Sequence, residues 1–223
     1  MNPALWHPLR WWRWQRAARR SGDDWPLPAL RVDAAPLLAV DLEMTGLDPA
    51  ADEIISIAWV PIDAGVIVLA DAREVRLARR RRETVGNSAT IHGLRDCDLL
   101  GASGPAEGLE QLLAAVRARV AVFHHAPLDL AFLERALCEY LGRSWQAPVI
   151  DTLSWQRRRL ALSGRGASNP NPATLEASVR DHGLIVRSQH NALADALSCA
   201  ELVLALSRSS RATLLETATP PRC

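Results

Sequence analysis

The residues best suited to chemistry are acidic, and they fall in three short segments. Asp41-Leu42-Glu43 sets two carboxylates two residues apart at the end of an apolar run, Leu37-Leu38-Ala39-Val40. In a strand that spacing sends both side chains out of one face. Carboxylates a few ångströms apart resist joint ionisation, and a divalent cation reverses that cost. An all-oxygen donor set favours a hard ion such as Mg²⁺ or Mn²⁺. Taken alone, a strand end fraying into solvent would explain the pair too. His124-His125-Ala126-Pro127-Leu128-Asp129 follows a second apolar run. It puts Asp129 in the first turn of a helix, where an anion is favoured whatever its role. The adjacent histidines lack partners at zinc-ligand spacing. In His190-Asn191-Ala192-Leu193-Ala194-Asp195, a loop histidine precedes a helix and Asp195 lies in its first turns. That arrangement can present a mobile base over a fixed ligand; a helix start capped by Asn191 is the plain alternative.

These segments need elements to hold them. Leu37–Glu43 reads as a buried strand, turned by Gly46 and Asp48-Pro49 into a second strand over Ile54–Ile62. Gly65 breaks that strand, and Val66–Val75 reads as a third, the short connections favouring an antiparallel meander. Helical periodicity appears over Glu107–Arg119 and about Leu128–Leu141, with a short strand at Val120–Phe123 between them. Val149-Ile150 is a further stub strand before Asp151, read as a structural or capping residue for a helix from about Thr152. A Gly/Ser/Asn/Pro loop spans Ser163–Pro172, and helices follow over Thr174–His182 and Ala192–Ser207. Strands first, then alternating helix and strand, predict an α/β fold: a mixed five-stranded sheet, its first three strands antiparallel, flanked by helices.

The chain has 223 residues, enough for one domain over residues 31–209 plus a 1–30 extension and a short 210–223 tail. Net charge is +1, so any nucleic-acid surface must be local. All 26 basic residues are Arg, and any phosphate contact would be made by a planar, bidentate guanidinium. Four scattered cysteines argue against a zinc ribbon or a disulfide framework. No apolar stretch approaches the about eighteen residues of a membrane span, and no leader pattern opens the chain, so a cytoplasmic protein is expected. Residues 1–30 hold five of the eight tryptophans, with a short basic helix expected over Leu5–Arg20. This extension could fold back on the domain, dock a protein partner, or lie on a membrane surface or nucleic acid.

Together the three acidic segments resemble the DEDDh family of 3′→5′ exonucleases, which includes the proofreading epsilon subunit of bacterial DNA polymerase III. Val40-Asp41-Leu42-Glu43-Met44-Thr45-Gly46-Leu47-Asp48-Pro49 is similar to the family's first motif nearly residue for residue. Thr90-Ile91-His92-Gly93-Leu94 resembles its intervening His-Gly segment. Asp129 stands at the second motif's aspartate, and His190 and Asp195 match the third motif's His-x₄-Asp. The resemblance covers roughly residues 35–207. It departs where the family prefers Asn and Phe and this chain has His125 and Leu128, neighbours that shape the substrate pocket.

The resemblance implies a ribonuclease H-like exonuclease fold and two Mg²⁺ or Mn²⁺ ions held by Asp41, Glu43, Asp129 and Asp195. Two such ions about 3.5–4 Å apart activate the attacking water and stabilise the leaving oxygen. His190 is the implied general base, neutral imidazole being available near an unperturbed pKa of about 6.5. Met44, Thr45, Gly46, Leu47 and His92 are the implied contacts to the terminal nucleotide, with core packing an alternative for Met44 and Leu47. The expected substrate is a single-stranded DNA 3′ end, in replication or repair. RNA is the alternative within the enzyme class, and a non-catalytic nucleic-acid-binding module the alternative outside it. The run Arg76, Arg79, Arg80, Arg81 and Arg82 is either a solvated face or a phosphate-binding strip. The short tail after Ser207 points to a stand-alone or accessory exonuclease over a dedicated proofreading subunit.

Overall fold

A computed structural model of the chain describes residues 8–22, 24–79, 101–163, 174–187 and 191–220. One mixed sheet runs through it, built from β1 (Leu37–Met44), β2 (Ile54–Asp63), β3 (Val66–Ile67), β4 (Arg73–Arg76), β5 (Val120–Phe123) and β6 (Val149–Asp151). β1 is central: it pairs antiparallel with β2 on one side and parallel with β5 on the other, and β5 pairs parallel with β6. The parallel steps are crossovers through α2 (Pro105–Val116) and α3 (Ala126–Leu141), as parallel pairing requires.

Among the described residues the sheet has six strands in place of the expected five, because the third is broken. Ala64 (φ 48°) and Gly65 (φ 79°) make the tight turn from β2 into β3, two left-handed residues in the manner of a hairpin. The Val68 amide then donates to the Pro61 carbonyl. That carbonyl points towards β3, so the proline nitrogen on the same edge has no hydrogen to return, and the ladder cannot continue. The chain leaves through a 3-10 turn at Leu69–Asp71 and rejoins β2 lower down, where β4 pairs Arg73 with Trp59 through Arg76 with Ser56.

Side-chain alternation along β1 divides the core in two. Leu37 and Ala39 join Ala58, Val60, Val122 and Ile150 against α6 (Ala192–Ser210). Leu38, Val40 and Leu42 join Ile57, Trp59, Ala121 and Phe123 against α2 and α3. Helices thus cover both faces, and a strand buried on both sides reads as the continuous apolar run seen at Leu37–Val40. Three further helices are α4 (Thr152–Leu162), α5 (Leu175–Asp181) and α7 (Leu214–Thr217).

The basic helix of the extension, α1 (Pro8–Ser21), lies back on the α6 side of the sheet. Trp14 and Ala17 are buried there, Trp14 meeting Trp25 edge-on with ring centroids 5.9 Å apart. The segment after it is stitched to the C-terminal stretch: the Val32 amide donates to the Ala212 carbonyl, Leu214 to Leu30 and Leu215 to Pro28. Thr219 bridges to Val149, which covers the outer edge of β6. No helix among the described residues is long and apolar enough to cross a membrane.

Candidate metal centre and active site

The odd-numbered residues of β1 face α6, so the alternation that buries Leu37 and Ala39 carries Asp41 and Glu43 out on the same side. Asp195 meets them from the first turn of α6. Carboxylate oxygens of Asp41, Glu43 and Asp195 all lie within 4.8 Å of one another. α6 starts where it does because Asn191 caps it, its side-chain oxygen accepting from the Ala194 amide at 3.0 Å. Asp129 arrives from the opposite layer, in the first turn of α3, and is buried. It stands outside the tight triplet yet close enough for its charge to act on Asp41.

The electrostatics are those of a site short of positive charge. Burial, then the charges of Asp129, Asp195 and Glu43, hold Asp41 well above the ordinary carboxylate range. Asp129 is raised chiefly by burial, with Asp151 adding to it. Glu43 is raised to about 7 by burial, then by Asp195 and Glu74. Among the described residues, the charges acting on Asp41 are all carboxylates. A convergent, half- to fully buried, all-oxygen set of this kind fits hard divalent cations. One turn along α6 from Asp195, Cys199 is buried with its thiol pushed up by that burial, 3.8 Å from the Thr152 hydroxyl. Thr152 donates to the Phe123 carbonyl and meets His124 Nδ1 at 2.9 Å, tying the ends of β5 and β6 together beside the acids.

Asp151 caps α4, accepting from the Leu153 amide and the Ser154 hydroxyl, and it also accepts from the His125 amide at 3.1 Å. His125 is the N-cap of α3, exposed, with φ 101°. It therefore holds a left-handed backbone that a residue with a Cβ adopts at a cost. Among the described residues no histidine joins the carboxylate triplet.

The loop after β1 is rigidly built. The Thr45 amide donates to the Glu53 carbonyl, and the Thr45 hydroxyl accepts from the Glu53 amide and donates to Asp52. Gly46 lies against the Asp52 carboxylate, where a Cβ would sit 2.3 Å from its oxygen. From α3, the Arg135 guanidinium donates to the carbonyls of Pro49 and Asp52. Met44 is half-buried against the α3-side core, whereas Leu47 is 75% exposed. Sequence reasoning missed Arg135, Asp52 and Glu74; the one local signal was Asp48, whose side chain accepts from the Ala50 amide in an Asx turn. His190, His92 and Arg80–Arg82 lie outside the described residues. Of the same arginine run, Arg79 approaches Glu53 at 3.6 Å and Arg76 approaches Glu74 at 3.7 Å.

Residues 38–203 match the family described as Exonuclease. The chain is 32% identical to the PolC-type DNA polymerase III of Thermotoga maritima over 170 residues, 76% of this chain and 12% of that protein. It is 29% identical to a DNA polymerase III subunit epsilon-like protein of Rhodobacter capsulatus over 199 residues, 88% of this chain and 27% of that one. Among solved structures, the zinc-bound complex of E. coli ExoI with single-stranded DNA shares the fold, with a TM-score of 0.68 at 16% identity over 79% of this chain and 41% of that one. The chain thus spans about an eighth and about a quarter of the two curated relatives' lengths.

Proposed function

The chain belongs to the exonuclease family, and we propose that it removes nucleotides from the 3′ end of single-stranded DNA, in replication or repair. The observation that carries this reading is the convergence of Asp41, Glu43 and Asp195 within 4.8 Å, with the buried charge of Asp129 acting on Asp41. In the proposal Asp41, Glu43, Asp129 and Asp195 hold two Mg²⁺ or Mn²⁺ ions. When bound, such ions supply Lewis-acid stabilisation of the attacking and leaving oxygens. His190, one residue before the cap of α6, takes the proton of the attacking water. Thr45, Gly46 and the residues beside them receive the terminal nucleotide, with Met44 and Leu47 against its base and His92 at the scissile end. The DNA substrate is supported by the two relatives being DNA polymerase III proteins and by the DNA held in the ExoI complex.

The test is a digest of 5′-labelled DNA and RNA oligonucleotides with Mg²⁺, Mn²⁺ or EDTA. A ladder shortening from the 3′ end, dependent on metal and stronger on DNA, is expected. Asp41→Ala and His190→Ala should each lower the rate by on the order of 10²–10³ or more with the fold intact by circular dichroism. Wild-type activity in either variant refutes the assignment, and no cleavage of either strand refutes the reading as a whole.

A further inference from the structure

α1 contributes only part of itself to the core. Trp14 and Ala17 anchor it, and the Arg10 guanidinium, on the same side, donates to the Ala218 carbonyl at 3.0 Å. The other face stays open: Leu9 is 67% exposed, Trp12 54% and Trp11 40%, with Arg13, Arg16, Arg19 and Arg20 exposed beside them. Trp12 and Arg16 are one turn apart, and the Arg16 guanidinium sits over the Trp12 ring at 5.1 Å. The helix carries five arginines and no acid. Helices that only cover a core do not need two exposed indoles, and a stripe of one charge sign repels itself unless an anion lies on it.

A second element brings another arginine to the same end of α1. The charges of Arg158 and Arg13 both act on Arg10, so Arg158 of α4 lies near the N-terminal part of α1. Arg158 is exposed, seven residues along α4 from Asp151, whose charge acts on Asp129. Seven residues of helix are about 10 Å. Arg158 thus stands about two helix turns along α4 from Asp151.

We propose that the outer face of α1, joined by Arg158, is a track for the single strand upstream of its 3′ end, with guanidinium groups on the phosphates and Trp12 as a stacking platform. Planar, bidentate arginines and an exposed indole are what a single strand of any sequence can use. The track rests on the exonuclease reading, and it predicts that affinity depends on strand length.

The experiment compares the full chain with a quadruple variant, R13Q/R16Q/R19Q/R158Q, and with Trp12→Ala. The substrates are the short dT3 and the long dT30. All substituted residues are exposed, and an unchanged melting temperature verifies the fold. For the quadruple variant, KM on dT30 should rise at least tenfold, and the log–log salt dependence should flatten by up to about 3, near 0.7 for each phosphate no longer neutralised. Trp12→Ala should raise KM on dT30 severalfold, while kinetics on dT3 stay within twofold in both variants. Unchanged dT30 kinetics overturn the track, as does an equal loss on dT3. Binding of α1 to phosphatidylserine vesicles with dT30 unaffected overturns it in favour of a membrane surface. If the wild-type chain hydrolyses neither oligonucleotide, the exonuclease reading has failed separately. Fluorescence anisotropy of labelled dT30 in EDTA then decides the track: binding abolished in the quadruple variant upholds it, and binding retained overturns it.

Discussion

Replacing Glu43 with Gln tests whether the acidic centre opposes folding in the absence of cations. Glu43 sits at about 7 against an ordinary 4.5, so the folded chain keeps a proton that the unfolded chain has already lost. Stability therefore falls as pH rises from about 4.5 through 7 and levels off above it. The full difference is worth about 3 kcal/mol at pH 8 and under about 1 kcal/mol at pH 5. Partial solvent screening trims the upper figure to about 2–3 kcal/mol. Gln keeps the shape and removes the repulsion with Asp195 and Glu74. At pH 8 in EDTA, Glu43→Gln should melt about 5–10 °C above wild type, given about 2–4 °C per kcal/mol for a chain of this size. At pH 5 the gap should nearly close. Saturating Mg²⁺ should raise the wild-type melting temperature more than the variant's, because ligand binding stabilises by mass action. Thermal melts followed by circular dichroism measure all three. A variant that melts at or below wild type at pH 8 in EDTA refutes the reasoning, and so does a gap independent of pH.

Arg135→Met removes two charge-assisted hydrogen bonds to the carbonyls of Pro49 and Asp52, each worth about 1.5–3 kcal/mol. Loosening this loop should raise KM on short oligonucleotides about tenfold or more with kcat less affected, as steady-state kinetics will report. His125→Gly relieves the left-handed backbone at φ 101°, and after the entropy cost of glycine should stabilise by about 0.5–1 kcal/mol. A melting temperature raised by about 1–4 °C verifies it. Trp14→Ala leaves a cavity under α1 and should cost about 3–5 kcal/mol. Limited trypsin digestion should then cut α1 at Arg13, Arg16 or Arg19 sooner than in wild type.

The parts of this molecule legible in the sequence are those set by short-range periodicity. The apolar run before Asp41 defines β1, and strand alternation alone places Asp41 and Glu43 on one face. Asn191 and Thr174 mark helix starts that their side chains cap, Asn191 accepting from Ala194 and Thr174 from Ala177. Pro105 and Pro127 lie in the first turns of α2 and α3, so both helices begin a residue or two earlier than periodicity alone suggests. The broken third strand was not legible, because its cause is a proline on the neighbouring strand and not a residue of its own. Arg135 was hidden for a related reason: it reaches a loop 86 residues earlier, and no local pattern in an amphipathic helix marks such a donor. Glu74 read as one acid in a polar strand, and its effect on Glu43 follows only from the pairing of β4 with β2.

The stitching of residues 28–32 to residues 212–215 bears on the order in which the chain takes shape. These hydrogen bonds close loops of about 180 residues, among the most costly closures in the molecule in lost chain entropy, although that cost grows slowly with length. During synthesis α1 and its Trp14 anchor emerge long before Ala212 and Leu214, so this seam cannot close until the chain is nearly complete. Contacts of such long range slow folding, because the entropy of closure is lost before they reward it. By the same token this seam is the natural first place to open under stress. Hydrogen exchange at Val32 and Leu214 should thus outpace exchange at Leu38 and Ala121 in the sheet interior.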